Sequence, residues 1–493
     1  MYNAPLCYPG ICDASEALET TVEIFVKRML AVEGDSDNAT NVWVLQGGPG
    51  DSSTATQTMT TGSPFGSKID PLEVPACAQD LQFKYGDLAS FSVTSAATDI
   101  TTLISNYTNG ANTTVYGVSY GTALVERLLH LNPPTVTGYV LDSIATSSGA
   151  PADKFEYFST WNIDYGEVGD RFLALCEQDD ECAARFEPNG LKNTLQNVLM
   201  KFDKDPNSTC ASLMYDVISD LRNEPPSLIL RGALSALLGR LTLRKLIPPI
   251  VYRLNRCTPK DVEVLAYFIS VLNEDTAFTS QDDAFYSPLL YYLIIFSEMW
   301  ESPSPSIGEM RARFTNARIS DSEVYMDTPL YCAFSKENST VCNELNVSSY
   351  FGNGIVYEHD QYWNKSARIP EQASVLLLNG KLDPMTPYKY AEYLLEALDG
   401  GNKELFTFDY SVHDTISSTL LVEDGDSYQT CGLNLLVSYV KNNGDLEQMN
   451  RSCVGEQPEF NLTAPTEIVA VFLSTDDAYD GIYESIRSSS EGF

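Results

Sequence analysis

Residues 113–131 read TTVYGVSYGTALVERLLHL. Thr113 to Tyr116 is a short β-prone run rich in β-branched and aromatic side chains. It leads into Gly117-Val118-Ser119-Tyr120-Gly121, after which Ala123, Leu124 and Leu128 take up helical spacing. Strand, sharp turn and helix together are the setting in which a G-x-S-x-G sequence lifts a serine out as a nucleophile. The glycines have a physical role, because side chains at 117 and 121 would collide where strand and helix backbones pass. An ordinary glycine-flanked turn is the competing reading; the strand and helix on either side favour Ser119 as a nucleophile.

Working outward, Val42–Leu45, Gly138–Leu141 and Val375–Leu378 are short unbroken apolar runs bounded by polar or glycine residues. That pattern predicts parallel strands buried on both faces, with functional groups in the loops at their carboxyl ends. Thr21–Arg28 alternates and predicts a strand with one exposed face. Between about 146 and 369 the texture turns helical: Leu265, Phe268, Ile269 and Leu272 form one stripe, and Leu234, Leu237, Leu238 and Leu241 another. The reading is an α/β chain in three parts. Residues 1–145 and 370–493 form the two halves of a parallel-sheet core, and 146–369 form a helical cap inserted between them.

A serine nucleophile needs a base, and the chain has only three histidines. His130 lies on the elbow helix, pointing away from its start, and reads as a surface residue. His359 sits in VYEHDQYW inside the insertion, where exposed or interhelical roles are expected. His413 follows the apolar segment 405–410 and is the predicted base. Asp383, shortly after the run ending in NG, is the predicted acid and gives the order Ser119, Asp383, His413. Asp142 at the end of another strand is its competitor, while Asp409 and Asp414 read as solvated. The oxyanion donors expected are the backbone N–H groups of Tyr120 and of Gly48 in Gln46-Gly47-Gly48-Pro49-Gly50, each worth about 3 to 4 kcal/mol in a serine hydrolase.

The formal charge of −36 over 493 residues argues against a phosphate backbone or an anionic membrane as partner. The longest apolar run, Pro288 to Phe296, is about half of the roughly 20 residues a spanning helix needs. Eleven cysteines include the close pairs Cys7/Cys12, Cys176/Cys182 and Cys332/Cys342 and the wider pair Cys431/Cys453, none with C-x-x-C spacing. Disulfides and an oxidising compartment are expected, with one cysteine left over. No metal or other cofactor is expected. Nine N-x-[ST] sequons, at Asn38, Asn106, Asn112, Asn207, Asn338, Asn346, Asn364, Asn450 and Asn461, point the same way. The opening MYNAPLCYPGICD has no secretory leader pattern, so an extracellular protein is expected whose leader is not in this chain.

QGGPG at 46–50, GVSYGT at 117–122, NGKLDPMTP at 379–387 and the His413-Asp414 pair, in that order, resemble the proline iminopeptidase and tripeptidyl aminopeptidase family of α/β hydrolases. CGLNLLVSYVKNNGDLEQMNRSC at 431–453 is similar to the C-terminal region of secreted tripeptidyl aminopeptidases, and PLCYPGIC at 5–12 with the cysteine-bearing insertion resembles secreted serine proteases of oomycetes. The resemblance implies Ser119, Asp383 and His413 as triad, Gly48 and Tyr120 as oxyanion donors and the insertion as a cap. It implies a secreted exopeptidase acting on peptides with free N-termini, and an acidic cap residue receiving the substrate α-ammonium group, Glu298 and Glu301 being candidates; a monomer is expected. Esterase activity with the same triad, and a catalytically impaired binding protein, are the alternatives.

Two departures stand out. Gln46 replaces a usual histidine, and the chain lacks the buried strand and D-x-R-G-x-G-x-S motif that family members carry after this loop. One core strand is therefore expected to be missing, lost near residues 53–58 together with the cysteine partner of Cys77.

Overall fold

A computed structural model describes the chain apart from residues 14–16, 31–38, 51–68, 111, 152, 218–223, 276–286, 322–323, 422–428 and 486–493. Five strands form one parallel sheet in chain order: β3 (Asn41–Leu45), β4 (Thr113–Ser119), β5 (Val136–Ile144), β6 (Ser374–Gly380) and β7 (Lys403–Phe408). Strands β4 to β6 are covered on both faces, which is why their sequences read as unbroken apolar runs. Val115, Leu141, Val375 and Leu377 pack with Leu128 of the elbow helix on one face. Tyr116, Val140, Leu376 and Leu378 pack with Leu435 and Tyr439 of the Cys431–Lys441 helix on the other.

β3 departs from expectation. Among the described residues it lies at the sheet edge, hydrogen-bonded only to β4, and Val42 and Val44 are 43% and 61% exposed. Trp43 and Leu45 pack inward, so the run alternates rather than being buried on both sides. The strand predicted at 21–28 is shorter, β2 (Thr21–Ile24), and pairs antiparallel with β1 (Tyr2–Pro5) apart from the main sheet. Among the described residues no strand lies between β3 and β4. The expected loss near 53–58 falls outside the described residues.

Between β5 and β6 the described chain is helical, apart from one isolated bridge at Arg368. Leu265, Phe268 and Ile269 of the Pro259–Asp275 helix enter a large apolar cluster with Leu234, Leu237 and Leu238 of the Pro226–Leu238 helix. The C-terminal segment joins this layer too: Leu462, Val469, Leu473 and Tyr479 pack in the same cluster. No helix among the described residues is long and apolar enough to cross a membrane.

Disulfides link Cys7–Cys12, Cys176–Cys182, Cys332–Cys342 and Cys431–Cys453 as spacing predicted, and also Cys210–Cys257, which are 47 residues apart. Cys77 is unpaired and half-buried, and burial raises its thiol pKa. Iodoacetamide applied to the unfolded, non-reduced chain is expected to add one carbamidomethyl group, on Cys77. Peptide mass mapping checks this, and a label on any of the other ten cysteines would break the pairing.

Candidate active site

The turn after β4 is tight enough to dictate its sequence. Ser119 has φ 57° and ψ −129°, a strained conformation for a residue with a side chain. A Cβ on Gly117 would stand 2.3 Å from the Gly121 carbonyl oxygen, and one on Gly121 would stand 2.6 Å from that of Leu45. Only hydrogen fits at either place. The Tyr120–Leu131 helix starts immediately after Ser119, so the Tyr120 N–H belongs to its unpaired first turn. The loop 46–50 lies alongside: a Cβ on Gly47 would come within 3.0 Å of the Ser119 Cβ. Its far end is tied to the helical insertion, Ser287 N–H donating to the Gly50 carbonyl at 3.1 Å just before the Pro288–Glu298 helix.

Asp383 follows β6 and has no exposed surface. Its Oδ1 accepts the N–H groups of Met385 at 2.9 Å and Thr386 at 3.0 Å, and Oδ2 accepts the Thr386 hydroxyl at 2.8 Å. Oδ2 is also 2.9 Å from His413 Nδ1. Burial works to raise the Asp383 pKa, but the imidazole and the Thr386 donors outweigh it and hold the carboxyl below its ordinary range. Burial works to lower His413, but Asp383, joined by Asp142 and Asp414, lifts the imidazole above its ordinary value.

Ser119, Tyr120, His413 and the Gln46–Pro49 loop line one cavity of about 360 Å³. Phe158, Trp161, Tyr291, Ile295, Met299 and Met385 form its apolar wall. Two further carboxyls reach it from the segment after β5. Asp164 is matched, accepting from Lys389 Nζ and the Tyr390 hydroxyl, both at 2.6 Å. Glu156 is not: its Oε2 accepts the Thr146 N–H at 2.8 Å, and no basic side chain among the described residues pairs with it. Burial, with the nearby charges of Asp164, Asp383 and Glu126, pushes its pKa well above the carboxylate range.

Several sequence readings change. The imidazole's hydrogen-bonding partner is Asp383, not Asp142, which accepts the backbone N–H groups of Thr415 and Ile416. Asp409 pairs with Lys381 and is exposed as expected, but Asp414, whose backbone has φ 63°, is half-buried and lines the cavity. Glu298 accepts the Tyr357 hydroxyl and lies 3.8 Å from Arg127, while Glu301 pairs with Arg313 and Ser159, so neither lines the Ser119 cavity. His130 contacts the Lys365 carbonyl and His359 that of Ser297, away from the cavity. Glu156 was missed. The available signal was a lone acid among aromatic residues in KFEYF, a pattern that carries no periodicity.

Residues 335–453 match the family described as TAP-like protein. No curated protein sequence matched the chain. Two solved structures are similar to it at 12% identity. One is an esterase (EaEST) from Exiguobacterium antarcticum, with TM-score 0.28, covering 82% of this chain and 92% of that one. The other comes from work on novel epoxide hydrolases of the alpha/beta hydrolases superfamily in metagenomes from hot environments, with TM-score 0.23 and coverage of 76% and 85%. The parallel sheet with its glycine-flanked elbow and helical insertion has the α/β-hydrolase fold, and the segment matched by the TAP-like family spans β6, β7 and the loops that carry Asp383 and His413.

Proposed function

We propose that the protein is a secreted serine exopeptidase that cleaves peptide bonds near free N-termini through an acyl-enzyme. Ser119 Oγ attacks the scissile carbonyl, His413 takes its proton and passes it to the leaving amine, and water then releases the acyl group by the same route. Asp383 holds the imidazole, and the N–H groups of Tyr120 and Gly48 receive the oxyanion. The observation that carries the peptidase reading over the esterase one is Glu156, a buried carboxyl in the cavity that holds Ser119 and His413, with which no basic side chain among the described residues pairs. An ammonium group brought there by the substrate would complete a buried ion pair and draw the carboxyl to its charged form. An ester needs no such partner.

Secretion is supported by five disulfides and by the sequons, since Asn106, Asn112, Asn207, Asn338, Asn346 and Asn450 are all exposed.

The test compares peptide anilides bearing a free α-amine with the same peptides N-acetylated. Acetylation is expected to lower kcat/KM by roughly 10²-fold, the usual cost of removing one partner of a buried charge pair. Glu156→Gln is expected to erase most of that difference. Equal turnover of both forms, or rapid turnover of short acyl esters with no amide cleavage, would return the site to an esterase.

A further inference from the structure

The segment that carries His413 is gripped by the end of β5. Asp142, without exposed surface, accepts the Thr415 N–H on Oδ1 at 3.0 Å and the Ile416 N–H on Oδ2 at 3.2 Å. Ser143 Oγ accepts the Asp414 N–H at 2.8 Å. Three consecutive N–H groups directly after the histidine are thus taken by two consecutive side chains of a central strand. Asp142 is fixed in turn by β4, whose Tyr116 hydroxyl donates to Oδ2 at 2.9 Å. A carboxylate is costly to bury unless its hydrogen bonds are satisfied, and here they come from the histidine segment and the nucleophile strand, with the neighbouring Ser143 hydroxyl at a longer 3.5 Å.

We infer that Asp142 is a positioning residue for His413: with Ser143 it holds the backbone of residues 414–416, and so fixes the imidazole relative to the serine at the end of β4. The proposal rests on the triad reading above. The groups facing the imidazole are Asp383 and the Thr386 hydroxyl from the segment after β6, Asp142 from β5, and Asp414 from its own segment, with the Tyr116 hydroxyl of β4 behind Asp142. Asp142 therefore supplies charge as well as geometry. Its own carboxyl is pushed up to about 6 by burial and by Asp414.

The experiment measures fluorophosphonate labelling rates and pH profiles of turnover for the full chain, Asp142→Asn and Ser143→Ala. In Asp142→Asn the amide oxygen can serve only one of the two N–H groups, so kcat falls about 10²-fold with KM little changed, as for a small misplacement of a reacting group. The acid limb of kcat/KM moves to lower pH, because the imidazole loses a negative neighbour. Ser143→Ala removes one grip and no charge, so kcat falls while the limb stays in place. An Asp142 that merely stabilises the fold would lower the melting temperature of Asp142→Asn but leave its labelling rate and pH midpoint unmoved, which overturns the proposal. If Asp142→Asn does not fold, an unchanged kcat in Ser143→Ala overturns it instead. An unaltered chain that takes no label sinks the triad reading and this proposal with it; a labelled chain matched in rate by Asp142→Asn sinks the proposal alone.

Discussion

Ser119→Ala is expected to lower kcat by about 10⁶-fold and to abolish fluorophosphonate labelling, the loss seen when a catalytic serine is removed from a working triad. Two features make the size of the effect interpretable. First, alanine adopts the strained elbow backbone at much the same cost as serine, and Gly117 and Gly121, which permit the turn, are untouched. The variant should therefore fold, and its circular dichroism and melting temperature serve as the control. Second, the cavity keeps the Tyr120 and Gly48 N–H groups, so binding and part of the oxyanion stabilisation persist and KM moves little. Labelling that survives the substitution would place the nucleophile elsewhere. An unaltered chain that takes no label would favour a catalytically impaired binding protein, whose sheet edge ends at an exposed β3.

The elbow was legible because its chemistry is local. Glycines at 117 and 121 answer clashes within one turn, and a strand and helix on either side leave a clear period in the sequence. β5 and β6 were legible because both faces are buried, which leaves no polar residue to break the run. β3 was misread for the opposite reason. In Val-Trp-Val-Leu every residue is apolar although only alternate ones pack, so burial on one face and on two faces look alike. Glu156 and Asp142 were hidden by distance. What makes Glu156 notable is that no basic side chain among the described residues pairs with it, and what defines Asp142 is a set of backbone donors some 270 residues away, a matter of tertiary packing that no local spacing records. Cys210–Cys257 shows the same limit: a separation of 47 residues carries no spacing signal.

Asp383→Asn is expected to lower kcat by about 10⁴-fold with little change in KM, and the hydrogen bonds around the carboxyl say why. Oδ1 faces two N–H donors, from Met385 and Thr386, so the amide oxygen of asparagine must occupy that position. Its NH₂ group then falls where Oδ2 stood, opposite His413 Nδ1. An N–H donor there selects the imidazole tautomer whose proton sits on Nε2, leaving no lone pair to take the proton of Ser119. The alternative flip would set the NH₂ against both backbone donors and is disfavoured by two lost hydrogen bonds. The pH dependence carries an independent sign. Activity needs the neutral imidazole, and Asp383 raises the His413 pKa, so kcat/KM of the unaltered chain should rise with pH through a midpoint above the ordinary histidine value of about 6.5. Asparagine removes that charge, so the residual activity should rise through a lower midpoint even as its plateau collapses. A variant with the plateau intact, or with the midpoint unmoved, would mean that Asp383 is not the partner of the base.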